Sequence, residues 1–135
     1  LVRGDLSSVQ LYDIPGKRVL NIFPSIGTGV CQSAVRTFTQ KATAHGEATV
    51  IHISKDLPFA QSGFCAAEGL ENALMLSTFR GNFGADYGVE YLESPFEGLL
   101  SRCVVVLDEN NRVVYSEQVP ATGQEPNYDA ALAAI

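Results

Sequence analysis

The stretch Arg18-Val-Leu-Asn-Ile-Phe23-Pro24-Ser-Ile-Gly-Thr28-Gly-Val-Cys31 decides the fold. Its first six residues form a short apolar run, the pattern of a buried strand. Pro24, which lacks an N–H and has a fixed φ, can wall a pocket without offering a competing donor. A loop with two glycines follows. From Cys31 to Ala44, Ala34, Val35, Phe38 and Ala42 then recur at helical spacing. Thr28 stands where a helix N-cap belongs, so Gly29, Val30 and Cys31 become the first three helical positions. In a capping box the third of these is Glu or Gln. Here a thiol occupies the place where the helix prefers an anion, because unpaired N–H groups and the macrodipole both favour negative charge there.

Working outward, Thr49 to Ser54 reads as a second strand. Pro58 to Glu68 reads as a helix entered by Asp56 and closed by Gly69. Leu74 to Ser77 is a short strand. Cys103 to Leu107 and Val113 to Glu117 flank Asp108-Glu-Asn-Asn111, the signal of a hairpin. Tyr128 to Ala134 is a closing helix with Asn127 as its cap. The order is β-α-β-α-β, then a hairpin, then α. Helical crossovers imply parallel pairing in the first half and the hairpin imposes antiparallel pairing in the second. The prediction is an α/β fold: a mixed central sheet with helices on both faces, compatible with a thioredoxin-like layout.

The 135 residues make one domain, 1–135. Charged residues are 18% of the chain, below the usual quarter, and 46% are hydrophobic, so a sizeable core is expected. A net charge of −6 argues against nucleic acid and against anionic membrane surfaces. No apolar run approaches the roughly 18–20 residues of a membrane span. The chain opens on Leu1 with no initiator Met. The expectation is that its N-terminus was removed or that the sequence is a fragment.

The three cysteines, Cys31, Cys65 and Cys103, form no C-x-x-C pair, and neither His45 nor His52 is near one in sequence. That excludes the closely spaced zinc pattern, and an odd, sparse set is unlike a secreted disulfide scaffold. Each thiol is then buried and inert or reactive. Position alone leaves both readings open for Cys31. No Gly-Lys-Ser/Thr follows it, which excludes a P-loop. Arg36 follows after four residues, one short of the five that a phosphatase cradle needs. Asp56, Glu68, Asp108 and Glu109 sit in turns or at helix ends with ordinary capping or solubility roles. His45 reads as solvated and His52 as packed in its strand.

The segment PSIGTGVC fits the P-x-x-x-T-x-x-C signature of peroxiredoxins. Together with ISKDLPFAQSGFCAAEG, LSTFRG and SRCVVVLDEN it resembles the bacterial thiol peroxidase branch, of the atypical two-cysteine type, from about Asp5 to the C-terminus. Family members carry an N-terminal hairpin and first strand ahead of the position of Leu1. The resemblance implies that Cys31 is the peroxidatic cysteine and that Thr28 and Pro24 complete its loop motif. It implies that Arg102 is the active-site arginine and Cys65 the resolving cysteine. His52 stands where some members have a third cysteine, and Cys103 is expected to be a packed strand residue. The implied function is reduction of hydrogen peroxide and organic hydroperoxides through a sulfenic acid and an intrachain disulfide, with thioredoxin as reductant. No metal, flavin or haem is implied. A cytoplasmic homodimer is expected, with Phe79, Arg80 and Tyr87 as candidate interface residues. The competing readings are a peroxide-sensing relay that uses the same cysteines, and an inert interaction domain. Because Cys31 and Cys65 fall on different helices, oxidation is expected to need local unwinding. Gly63 either weakens the second helix for that purpose or marks close packing.

Overall fold

The chain runs β1 (Lys17–Ile22), α1 (Gly29–His45), β2 (Ala48–Ser54), α2 (Pro58–Glu68), β3 (Leu74–Ser77), α3 (Phe83–Asp86), β4 (Cys103–Leu107), β5 (Val113–Gln118) and α4 (Tyr128–Ala133). This is seen in a computed structural model, which describes residues 1–45, 48–70, 73–121 and 123–135. The sheet order is β3-β2-β1-β4-β5. The α1 and α2 crossovers leave β1, β2 and β3 parallel, while β4 pairs antiparallel with both β1 and β5. The mixed sheet is therefore the predicted one.

Strand alternation sorts the core into two layers. Leu20, Ile22, Ile51, Ile53, Leu76, Cys103 and Val105 share one face with Val9, Leu11, Ile14 and Leu100. Val19, Val50, Val104 and Val106 share the other with Phe38 of α1 and Leu132 of α4. There the Phe38 ring meets Tyr128 edge-on at 4.9 Å. The first face is covered by shorter pieces: a 3-10 turn at Leu11–Asp13, with Phe83 of α3 packed alongside. Neither short element was predicted, since each is a single turn with no period to read.

Arg18 lay inside a run read as apolar, yet only 1% of its surface is exposed. Its guanidinium donates to the carbonyls of Leu11 (2.7 Å), Gly16 (3.0 Å) and Asp108 (2.8 Å). A buried cation is thereby fully engaged, and the 3-10 turn and the β4–β5 turn are tied to the central strand.

Two expectations change. Asp56 does not cap α2. The N-cap is Leu57, with no side-chain hydrogen bond, and Pro58 opens the helix. Proline suits that first position because its missing N–H would be unpaired there anyway. Close packing at Gly63 is overturned too, since a Cβ there would meet nothing within 4 Å. Arg102, just ahead of β4, is 1% exposed. The expectation that the His45 side chain is solvated falls outside the described residues. Gly69 does close α2, in the left-handed region at φ 67°, and Asn127 Oδ1 caps α4 by accepting from Ala130 N.

Candidate active site

The chain leaves the sheet at the carboxyl end of β1, where Phe23 N still donates to Ile53 O (3.0 Å), and residues 24–28 turn it into α1. The carboxyl ends of parallel strands, facing helix N-termini, are where α/β sheets place their sites. The loop is held from within. Thr28 N and Thr28 Oγ1 both donate to Ser25 O (3.2 Å each), and Thr28 Oγ1 accepts from Cys31 N (3.4 Å). Thr28 is thus the N-cap, as its position predicts. Its hydroxyl proton goes to Ser25 O rather than to the sulfur.

The loop is also held from outside, by Asp56. One carboxylate oxygen accepts from Ile26 N (2.7 Å) and Ser54 Oγ (2.6 Å), the other from Ser25 Oγ (2.9 Å). Asp56 therefore fastens the start of the thiol-bearing loop to the end of β2. Sequence reasoning gave it only a capping role. Its position just before a proline-initiated helix mimics a cap, and nothing local reveals partners thirty residues upstream.

Cys31 is fully buried at the start of α1. Arg102 Nη2 donates to its sulfur at 3.2 Å. Strand parity explains the meeting. Residue 102 shares a face with Val104 and Val106, the face on which α1 lies. Cys103 points the other way, into the opposite core layer, with Ser101 Oγ 3.1 Å from its sulfur. Burial pushes the Cys103 thiol up, partly offset by that hydrogen bond. Cys103 is thus a packed residue on the wrong side of the sheet to join Cys31.

A cavity of about 210 Å³ is lined by Pro24, Thr28, Val30, Phe96 and Arg102 among others; it meets Thr28 and Arg102, the hydrogen-bond partners of Cys31, rather than the buried sulfur itself. Pro24, Thr28 and Arg102 were named from the sequence; Phe96 was not, because it sits in an irregular segment with no motif. A larger cavity of about 400 Å³ lies between Leu1, Tyr12, Phe83 and Tyr87. Neither Thr28 nor Arg102, the residues bonded to Cys31, lines it, so its size does not make it the site.

Cys65 lies on α2, half buried, and its thiol donates to Met75 Sδ at 3.0 Å. Burial pushes this thiol up. Cys31 and Cys65 are both unbonded, and both pack into one cluster with Phe23, Ile26, Val35 and Met75. The structure thus brings Cys31, Thr28, Pro24 and Arg102 together and packs Cys65 against the same cluster without a bond to Cys31. His52 is packed, as expected. The Asn21 amide, its partner across the β1–β2 ladder, donates to Nδ1 (3.0 Å). That leaves the ring proton on Nε2, which faces Thr39 Oγ1 at 3.1 Å. Burial lowers the imidazole to about 3.

Chemically, the arrangement joins a sulfur, a guanidinium donor and the first turn of a helix, with a small cavity reaching the same arginine and threonine. Among the described residues, no three His, Cys, Asp or Glu side chains gather as a metal site needs.

A family model described as Redoxin matches residues 1–132. The thiol peroxidase of Mycobacterium tuberculosis is 53% identical over the whole of this chain, which covers 82% of that relative. The thiol peroxidase of Corynebacterium glutamicum is 50% identical over the same shares. A solved peroxiredoxin-like protein from Aquifex aeolicus superposes with a TM-score of 0.88 at 31% identity, covering 99% of this chain and 81% of that one.

Proposed function

The chain belongs to the redoxin family, as a thiol peroxidase of peroxiredoxin type, and from that premise we propose that Cys31 reduces hydroperoxides and that Cys65 resolves the product. The peroxide enters the cavity between Pro24, Val30 and Phe96. The Cys31 thiolate attacks the nearer oxygen, a sulfur–oxygen bond forms and the O–O bond breaks. The departing alkoxide or hydroxide takes up a proton and leaves as alcohol or water. Cys31 is then a sulfenic acid. Arg102 and the α1 N-terminus hold positive potential where negative charge collects, and preorganised electrostatics of this kind is commonly the largest catalytic contribution. Arginine suits the role because it stays charged and presents donors in a fixed fork. Thr28 and Asp56 keep the loop in place.

Cys65 then attacks the Cys31 sulfur, hydroxide leaves as water, and an intrachain disulfide remains. A dithiol of thioredoxin type reduces it by thiol–disulfide exchange. The carbon-rich cavity wall suits organic hydroperoxides as well as hydrogen peroxide. Three free thiols fit a reducing compartment such as the cytoplasm. The exposed Phe79, Arg80 and Tyr87 are the proposed contribution to a homodimer.

The observation that carries the reading is the 3.2 Å approach of Arg102 to a fully buried Cys31 sulfur at a helix start. Its test is peroxide consumption with reduced thioredoxin. Cys31→Ser is expected to abolish consumption. Cys65→Ser is expected to keep the first oxidation and lose turnover. Steady turnover in Cys31→Ser overturns the assignment.

A further inference from the structure

The second half of the cycle needs Cys65 to reach Cys31, and α2 is held differently along its length. Its first half is anchored in the core. Pro58 is buried, and Gln61, 1% exposed, donates to Ser54 Oγ and to Leu76 O (3.1 Å each). The second half, from Phe64 to Glu68, has no comparable buried side-chain anchor among the described residues. It is tied instead by the partly buried Phe64 and Cys65, which pack on the Cys31 cluster, by the Cys65–Met75 contact and by an ion pair. Arg36 Nε donates to Glu68 Oε2 (3.0 Å) and Arg36 Nη2 donates to Glu68 Oε1 (2.6 Å). The same guanidinium lies over the Phe64 ring, 5.6 Å from its centroid. Gly63 stands between the two halves with open space around its Cβ position.

Arg36 belongs to α1, the helix that begins around Cys31. The ion pair therefore joins the helix of the first cysteine to the second half of the helix that carries the other. We propose that Arg36–Glu68 is a latch that holds Cys65 away from Cys31, that Gly63 is the hinge beneath it, and that release of the latch limits disulfide formation. This rests on the two-cysteine reading above. The step it governs is Cys31–SOH plus HS–Cys65 giving Cys31–S–S–Cys65 plus water. The sulfenic sulfur is reduced, the Cys65 sulfur is oxidised, and the departing hydroxide takes the thiol proton. Arg36 and Glu68 touch neither peroxide nor sulfur, so they act as positioning residues. While the latch is closed the sulfenic acid persists and is open to a second peroxide, which takes it to sulfinic acid. The latch thus sets the peroxide level at which the enzyme is lost.

The pair is solvent-facing, so its effect is modest and sensitive to salt. In stopped-flow measurements on the purified protein, Glu68→Gln is expected to speed disulfide formation about two- to fivefold. The sulfenic step should be unchanged. The peroxide dose for half-conversion to sulfinic acid, read by mass spectrometry, should rise by a similar factor. Added salt should speed disulfide formation in the wild type and leave Glu68→Gln nearly flat. Glu68→Lys, which sets two cations together, should be at least as fast as Glu68→Gln. Disulfide formation that is unchanged or slower in both variants overturns the latch while leaving the two-cysteine cycle intact. Failure of the wild type to form a Cys31–Cys65 disulfide overturns that cycle and the latch with it.

Discussion

At the scale of single residues, the centre of the account is a sulfur and a guanidinium that lie 71 positions apart in the chain and 3.2 Å apart in space. No spacing rule joins them. Cys31 was legible as a thiol at a helix start, from Thr28 and the two glycines before it. Arg102 was legible only through the likeness of SRCVVVLDEN to a known family. Asp56 was misread, because a carboxylate just ahead of a helix has an obvious local use, whereas its real partners lie across the fold. The Arg102 role has a direct consequence. Arg102→Met keeps most of the volume and removes the charge. Sulfenic acid formation at Cys31, followed by a trapping reagent, is expected to slow by about two to three orders of magnitude. A loss of less than about threefold, in a variant that still folds, contradicts electrostatic assistance by Arg102.

At the scale of elements, the proposed cycle makes α2 its moving part. Its sequence PFAQSGFCAAE announced a helix through Pro58 and the Gly69 closure, and both hold. The closure also embraces the second cysteine. Leu70 N donates to Cys65 O (3.0 Å) and Gly69 N to Ala66 O (3.4 Å), so Cys65 sits inside the capping turn that the proposed disulfide requires it to leave. Helical period could show that α2 exists, but not that its first half is anchored through Gln61 and its second through an ion pair. Those are contacts with other elements. Gly63→Ala meets no neighbour and should strengthen the helix by up to about 1 kcal/mol. Disulfide formation is then expected to slow severalfold with the sulfenic step unchanged, as rapid-quench thiol counting would show. An unaltered second step removes Gly63 as the hinge. The short α3 and the 3-10 turn at Leu11–Asp13 escaped prediction because one turn holds no repeat.

At the scale of the whole molecule, the mixed sheet and its parallel and antiparallel halves followed from crossover against hairpin, whereas the strand order β3-β2-β1-β4-β5 emerges only in the structure. What composition did not reveal is the polar content of the core. Arg18, Arg102, Asn21 and His52 are all buried in or beside the sheet. His52 makes folding sensitive to acid. The folded protein keeps the ring neutral down to about pH 3, while the unfolded chain takes up a proton near 6.5. The stability is therefore complete above pH 6.5 and declines as pH falls towards 3, by at most about 1.4 kcal/mol per pH unit from this group. The carboxylates held below their usual range, among them Asp108 and Glu68, add to the loss only at lower pH. Urea unfolding between pH 7.5 and 5 should show the early decline, and the native His52 ring resonances should stay those of neutral imidazole throughout. A native titration midpoint near 6.5 contradicts the buried-neutral assignment.

The most direct measurement is the mass of the reduced protein after one equivalent of hydroperoxide, with peptide mapping. The account requires the loss of two hydrogens in the wild type, mapped to a Cys31–Cys65 bond, and one added oxygen on Cys31 in Cys65→Ser. Oxidation that falls on Cys103, or a Cys31 that stays reduced while peroxide is consumed, contradicts it.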